Sequence, residues 1–181
     1  MKIYLIGASG SIGFPLFNYL RKKFSIVGTY NKNFKKNLIK FSLQNTNHKK
    51  KISQKAKYTD VFIILSAKTD VRWVFQNQKK SYQVNTKLTK KFIKNLIKKK
   101  ARIIYVSSAE VFNGKRGFYK EKSKPNPVNV YGKTKYLVEK HLIRSGYDRY
   151  HIIRTGRNIN MSNEYRCMIE DTYLTLLKED P

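Results

Sequence analysis

The stretch "NVYGKTKY", residues 129–136, puts Tyr131 four residues ahead of Lys135. On a helix that spacing sends both side chains out of one face. An ammonium beside a phenol favours the phenolate, so the pair predicts a Tyr131 pKa below its reference of about 10. Such a tyrosine can protonate a carbonyl oxygen as hydride reaches the carbon; in reverse, Lys135 would help deprotonate it for alcohol oxidation. Lys135 can also bind the ribose hydroxyls of a nicotinamide nucleotide. A third group should hold the substrate oxygen. Ser107 and Ser108, just past "RIIYV", lie where the carboxyl edge of a parallel sheet would present them. The chain carries 13 Tyr and 39 Lys plus Arg, so this spacing gains meaning only beside a nucleotide site.

"GASGSIG" supplies one. Gly7, Gly10 and Gly13 form a GxxGxxG pattern between a strand and a helix. A tight turn and a closely approaching pyrophosphate both ask for residues without Cβ. Ser9, Ser11 and Ile12 complete the cofactor loop. The helix, starting at about Ser11 or Ile12, turns its unpaired N–H groups toward the phosphates. The second strand ends in "GTYNKN", where an acid commonly binds the adenosine ribose of NAD. None is present. Tyr30 or Asn31 would border the adenosine and Lys32 would pair with a 2'-phosphate, which favours NADPH over NADH.

The elements that position these groups alternate. Strands are expected at 2–7, 25–30, 37–43, 60–67, 101–109 and 150–155, and helices at 14–24, about 73–100 and 130–144. The long helix would bury a stripe of Val84, Leu88, Phe92, Leu96 and Ile97. This rhythm predicts an α/β fold: a doubly wound, mainly parallel sheet of Rossmann type. Residues 1–160 are expected to form the dinucleotide-binding domain, and 161–181 a C-terminal helix. The Gly-, Pro- and charge-rich stretch 113–129 is the expected loop over the active site.

Composition narrows the class. No run approaches the roughly 18 apolar residues of a membrane span. "MKIYLIGASG" passes into a glycine turn instead of a cleavage site, so no targeting is expected. One cysteine, Cys167, fits a reducing, cytoplasmic setting. His48, His141 and His151 are scattered, and no metal is expected. The net charge of +28 is spread over nearly every polar segment. It predicts nonspecific attraction to polyanions at low salt and no sequence-specific nucleic-acid role, and leaves a noncatalytic nucleotide-binding or polyanion-binding protein as the alternative to an enzyme.

From "YLIGASGSIG" through "DVFIILSAKTDV", "YQVNTKLT", "YVSSAEVFNG", "NPVNVYGKTKYLVEKHL" and "IIRTGR", the chain resembles the extended short-chain dehydrogenase/reductase superfamily. Within it, the resemblance is to sugar-nucleotide reductases of the dTDP-4-dehydrorhamnose reductase type. It implies reduction of a keto group on a nucleotide-sugar substrate, with epimerisation or dehydration as related chemistry. It makes Tyr131 the catalytic acid/base, Lys135 its partner and Ser108 the catalytic hydroxyl. Asn85 would shape the active site and Ala67 would lie beside the cofactor. Arg154 and Thr155 would lie near nicotinamide and substrate. It also implies a homodimer paired through the helix near 83–98 and the Tyr131 helix. Ala109 and Glu110 depart from the acid and aromatic usual before "VF", and Gly156 and Arg157 from the usual small and aromatic pair. The family's further hundred or so residues would carry much of the substrate lobe, which makes 161–181 the start of a truncated lobe; here Trp73, Phe75 and Tyr82 are candidates for an apolar patch beneath it.

Overall fold

The structure, a computed structural model, describes residues 1–156. Six strands, β1 (Ile3–Ile6), β2 (Ile26–Tyr30), β3 (Leu38–Lys40), β4 (Val61–Ile64), β5 (Arg102–Ser108) and β6 (Tyr150–Thr155), form one sheet ordered β3-β2-β1-β4-β5-β6. Every pairing is parallel. The chain winds outward from β1 to β3, then returns past β1 to build β4, β5 and β6 on the other side. That reversal puts the switch point between β1 and β4, so ligands should bind beyond their carboxyl ends.

Helices cover both faces because alternate strand residues point to opposite sides. Tyr4 and Ile6 of β1, Phe62 and Ile64 of β4, and Ile103 and Tyr105 of β5 pack in one core. That core is closed by α2 (Thr46–Lys55), α5 (Thr89–Lys98) and α6 (Val130–Ile143) through Ile52, Phe92, Leu96, Val138 and Leu142. On the opposite face, Leu5 and Leu38 meet Phe17 of α1 (Gly13–Leu20).

The segment expected as one helix from Trp73 to Lys100 is divided. It contains α3 (Val71–Gln76), α4 (Gln78–Ser81), a π-helical stretch Tyr82–Leu88, and α5. Asn77, at φ −122 and ψ 47, breaks the first turn away from the second. In the π stretch a wider turn carries one extra residue, and Thr89 Oγ1 bonds back to the Val84 carbonyl five residues earlier. The apolar stripe survives only in part: Phe92 and Leu96 are buried, while Val84, Leu88 and Ile97 are half-buried. The third strand is shorter than expected, and α1 ends at Leu20 with a turn reaching Phe24. Phe75 and Tyr82 are exposed, and Trp73 is half-buried with the Lys68 ammonium over its ring. The segment 161–181 lies outside the described residues. Among the described residues, no helix is long and apolar enough to cross a membrane.

Candidate active site

The glycine loop leaves β1 at Gly7, whose φ of +93 lies in the region that disfavours any side chain. A Cβ there would also stand 2.9 Å from the Ser66 nitrogen, in the chain leaving β4. Gly13 is demanded by packing: its Cβ would meet the Gly7 carbonyl at 2.4 Å and the Ala8 Cα at 2.8 Å. Gly10 differs. Its Cβ would find only the Gly7 oxygen, at 3.5 Å, which is ordinary contact. The protein's packing does not require glycine at 10, whereas close approach of a phosphate to this turn would, so the loop fits a dinucleotide pyrophosphate. Ser9 is buried, Ser11 exposed and Ile12 half-buried, and Ile12 already has helical angles ahead of α1.

Thr29 was not foreseen. Buried in β2, it accepts the Gly7 N–H on Oγ1 at 2.9 Å and the Ser9 N–H on its carbonyl at 3.3 Å. It thereby latches the loop to the neighbouring strand. In sequence it reads as an ordinary β-branched strand residue, and no local signal marks it. Tyr30 follows at the strand end, half-buried with the Lys40 ammonium over its ring. Asn31 and Lys32 are exposed beyond it, at the same sheet edge as the glycine loop.

Ala67 is half-buried in the segment after β4. Asn85 holds that segment from the π stretch. Its Oδ1 accepts the Lys68 N–H at 2.8 Å, and its Nδ2 donates to the Lys68 carbonyl at 2.9 Å and to Thr134 Oγ1 at 3.4 Å. Next to it, Thr86 Oγ1 donates to the Thr134 carbonyl at 3.1 Å. Both side chains are buried and both reach Thr134, which lies between Tyr131 and Lys135 on α6. The wider turn lets two successive residues grip one neighbouring helix.

Ser108, Tyr131 and Lys135 converge where β5 ends against α6. Ser108 Oγ accepts the Glu110 N–H at 3.2 Å, capping a 3-10 turn over Ala109–Val111, and its hydroxyl acts on the Tyr131 phenol by lowering its pKa. Asn129 caps α6 by accepting the Gly132 N–H at 2.7 Å, while its amide donates to the Glu110 carboxylate. A Cβ on Gly132 would fall 2.0 Å from the Glu110 carbonyl oxygen. Glycine at that position is what lets the helix carrying Tyr131 approach the turn carrying Ser108. Lys135, 2% exposed, donates from Nζ to the Val106 carbonyl at 2.6 Å and lies over the Tyr105 ring.

The protonation states depart from expectation. Instead of being lowered, the Tyr131 pKa is pushed up to about 12, first by burial and then by the Glu110 carboxylate, with the Ser108 hydrogen bond opposing. Burial pulls Lys135 down to about 7 against the attraction of Glu139. The reason is depth: the lysine is turned to a backbone carbonyl and is itself only partly charged near neutrality, while a carboxylate sits across the turn.

Arg154 is held by another protein group. Its guanidinium meets the fully buried Glu139 carboxylate, with Nη2–Oε2 at 2.8 Å and Nε–Oε1 at 3.2 Å, and Nη1 donates to the Glu121 carbonyl at 3.2 Å. Strand β6, helix α6 and the 113–129 loop are thus joined at one cation. Thr155 Oγ1 donates to the Ser107 carbonyl at 3.4 Å, and Ser107 Oγ is buried without a partner. An open cavity of about 870 Å³ lies between this loop and β6, bordered by Glu110, Phe112, Asn113, Tyr119, Glu121 and Arg154. It adjoins the Ala109–Val111 turn and does not extend over the glycine loop.

Comparison with known proteins agrees with this architecture. A dTDP-4-dehydrorhamnose reductase of Sulfolobus tokodaii, described as hypothetical, superposes with a TM-score of 0.78 at 30% identity, covering 87% of this chain and 56% of that one. The dTDP-4-dehydrorhamnose reductase of Bacillus anthracis, solved in complex with NADP, gives 0.79 at 23% identity and shares the fold over 99% of this chain and 61% of its own. A stretch of 55 residues is 46% identical to methionine adenosyltransferase 2 subunit beta of Bos taurus, covering 28% of this chain and 16% of that protein. The chain therefore spans little more than half the length of these solved neighbours. The RmlD substrate binding domain family matches residues 1–163, and the chain belongs to that family.

Proposed function

We propose that this chain reduces a keto group on a nucleotide-activated sugar, with NADPH as the favoured reductant and dTDP-4-dehydro-L-rhamnose as the leading substrate. The observation that carries this reading is the meeting of Ser108, Tyr131 and Lys135 at the sheet edge that also bears the glycine loop. Residues Gly7–Gly13 would hold the pyrophosphate, and Lys32 would read the 2'-phosphate. A bound nicotinamide supplies hydride. Ser108 and Tyr131 would donate hydrogen bonds to the substrate oxygen, and Tyr131 would deliver its proton as that oxygen becomes negative. A phenol with a pKa of about 12 is protonated at neutral pH, which is the state a reductase needs at the start of each turnover. Lys135 would orient the ribose hydroxyls from one helical turn away by turning its Nζ from the Val106 carbonyl toward them.

Purified protein should be incubated with each reduced nicotinamide nucleotide and a panel of keto-sugar nucleotides, with products read by mass. Reduction adds one hydride and one proton, hence two hydrogens, and consumes the nucleotide. A product that has lost water, or an unchanged mass with inverted stereochemistry, would replace the reductase reading with a dehydratase or an epimerase. Absence of turnover on every substrate would reject an active enzyme.

A further inference from the structure

Residues 71–109 contain no acid, and neither does α2. Helices α2, α5 and α6 lie side by side on one face of the sheet, with α5 in the middle. Helix α2 carries Lys49, Lys50, Lys51 and Lys55, and α5 carries Lys90, Lys91, Lys94 and Lys98. The acid of α6, Glu139, is fully buried and bound to Arg154, so it does not offset charge on the outer surface. The cations approach one another across both seams. Lys49 is 4% exposed, and its pKa is lowered by burial and then by Lys91 of α5. Lys90 is lowered by burial and then by Lys140 of α6. His141 is lowered by burial and then by Lys90 and Lys94, and its buried Nε2 has no hydrogen-bond partner. No ion pair neutralises Lys49, Lys90 or Lys94 among the described residues.

We propose that the outer face of α2, α5 and α6 is a binding surface for the phosphate backbone of double-stranded nucleic acid, without sequence preference. This surface is separate from the Tyr131 site and does not depend on the reductase reading. A duplex presents one charge per about 1.7 Å of axis, while α5 spans about 15 Å, so its lysines would meet several phosphates at once. Other occupants fit less well. A membrane surface would ask for a row of outward apolar side chains; α2 and α5 expose no large one, and α6 exposes a single one, Ile143, at its last residue. A single strand would ask for aromatic platforms, which the outer faces of α2 and α5 lack, while the half-buried Tyr136 of α6 has the Lys140 ammonium over its ring. A second copy paired through α5 and α6, as the family resemblance implies, would press like charges together.

The test uses the full chain, a random-sequence duplex and fluorescence anisotropy between about 0.05 and 0.2 M salt. The exposed Lys91, Lys94 and Lys98 are changed together to Gln. A second triple changes Lys22, Lys23 and Lys36, equally exposed residues outside the three helices, for the same loss of charge. In the face triple, the slope of log affinity against log salt should fall in magnitude by about 0.9 per lysine, or about 2.7 in all. The control triple should keep the wild-type slope. Equal losses in both triples would show that the charge acts diffusely and overturn the proposal. So would an unchanged face triple, tighter binding to anionic vesicles or polyglutamate at matched salt, or a low-salt dimer that the face triple abolishes.

Discussion

Replacing Lys135 with methionine should turn a pH-dependent loss of stability into a flat one. Burial holds the Lys135 pKa at about 7 in the folded protein, against 10.5 for a free lysine. Below the folded value both states bind the proton, and the whole penalty of a buried charge weighs on the fold. Between the two values the unfolded chain binds more protons than the folded one, so stability rises with pH. Each pKa unit corresponds to about 1.36 kcal/mol, so going from about pH 6 to about pH 9 should recover roughly 2–3 kcal/mol. Methionine removes that term and leaves the Val106 carbonyl without its donor, a loss of about 1 kcal/mol that does not change with pH. Urea unfolding of both proteins across this range gives the difference directly, and the other lysines cancel because both chains carry them. The advantage of Lys135→Met over wild type should be largest at low pH and shrink by roughly 2–3 kcal/mol at high pH. A difference that stays constant would show that Lys135 titrates alike in both states, and the burial argument would fail.

Gly13→Ala should cost about 1–3 kcal/mol in urea unfolding and weaken nucleotide binding, because its Cβ meets loop backbone on two sides. Gly10→Ala should leave stability unchanged and weaken nucleotide binding alone; equal destabilisation by both would refute the distinction. Arg154→Met should destabilise by about 3–5 kcal/mol by leaving the Glu139 carboxylate buried and unpaired, and adding Glu139→Gln should restore much of it. Ser107→Ala should be neutral or slightly stabilising, since its hydroxyl has no partner, whereas Ser108→Ala should lower kcat by removing a hydroxyl that would hold the substrate oxygen beside Tyr131. A larger kcat loss at Ser107 would reverse their roles.

The sheet and its glycine loop were legible because their signals are local. Apolar runs such as Ile63–Leu65 mark strands covered on both faces, and Gly7 and Gly13 occur where backbone must approach backbone. The site was legible in composition and less so in state. Helical spacing places Tyr131 and Lys135 on one face, yet it cannot report how deeply that face is buried or that Glu110 lies across the turn. Those two facts reverse the expected shift of the tyrosine. The π stretch was invisible because one extra residue in a turn alters hydrogen bonding while leaving an apolar pattern that still resembles a helix. Thr29, Asn129 and Gly132 escaped notice for another reason. Each acts on a segment distant in sequence or across a packed turn, so its importance depends on tertiary approach. The Arg154–Glu139 ion pair was not legible either, because it joins β6 to α6 across fifteen residues of sequence.

The central claim is that Tyr131 supplies the proton for carbonyl reduction. Single-turnover oxidation of NADPH by a keto-sugar nucleotide should therefore be compared between wild type and Tyr131→Phe, which keeps the ring and loses the hydroxyl. The hydride-transfer rate should fall about 10²- to 10⁴-fold, with NADPH affinity little changed. Wild-type rates in the phenylalanine variant would contradict it.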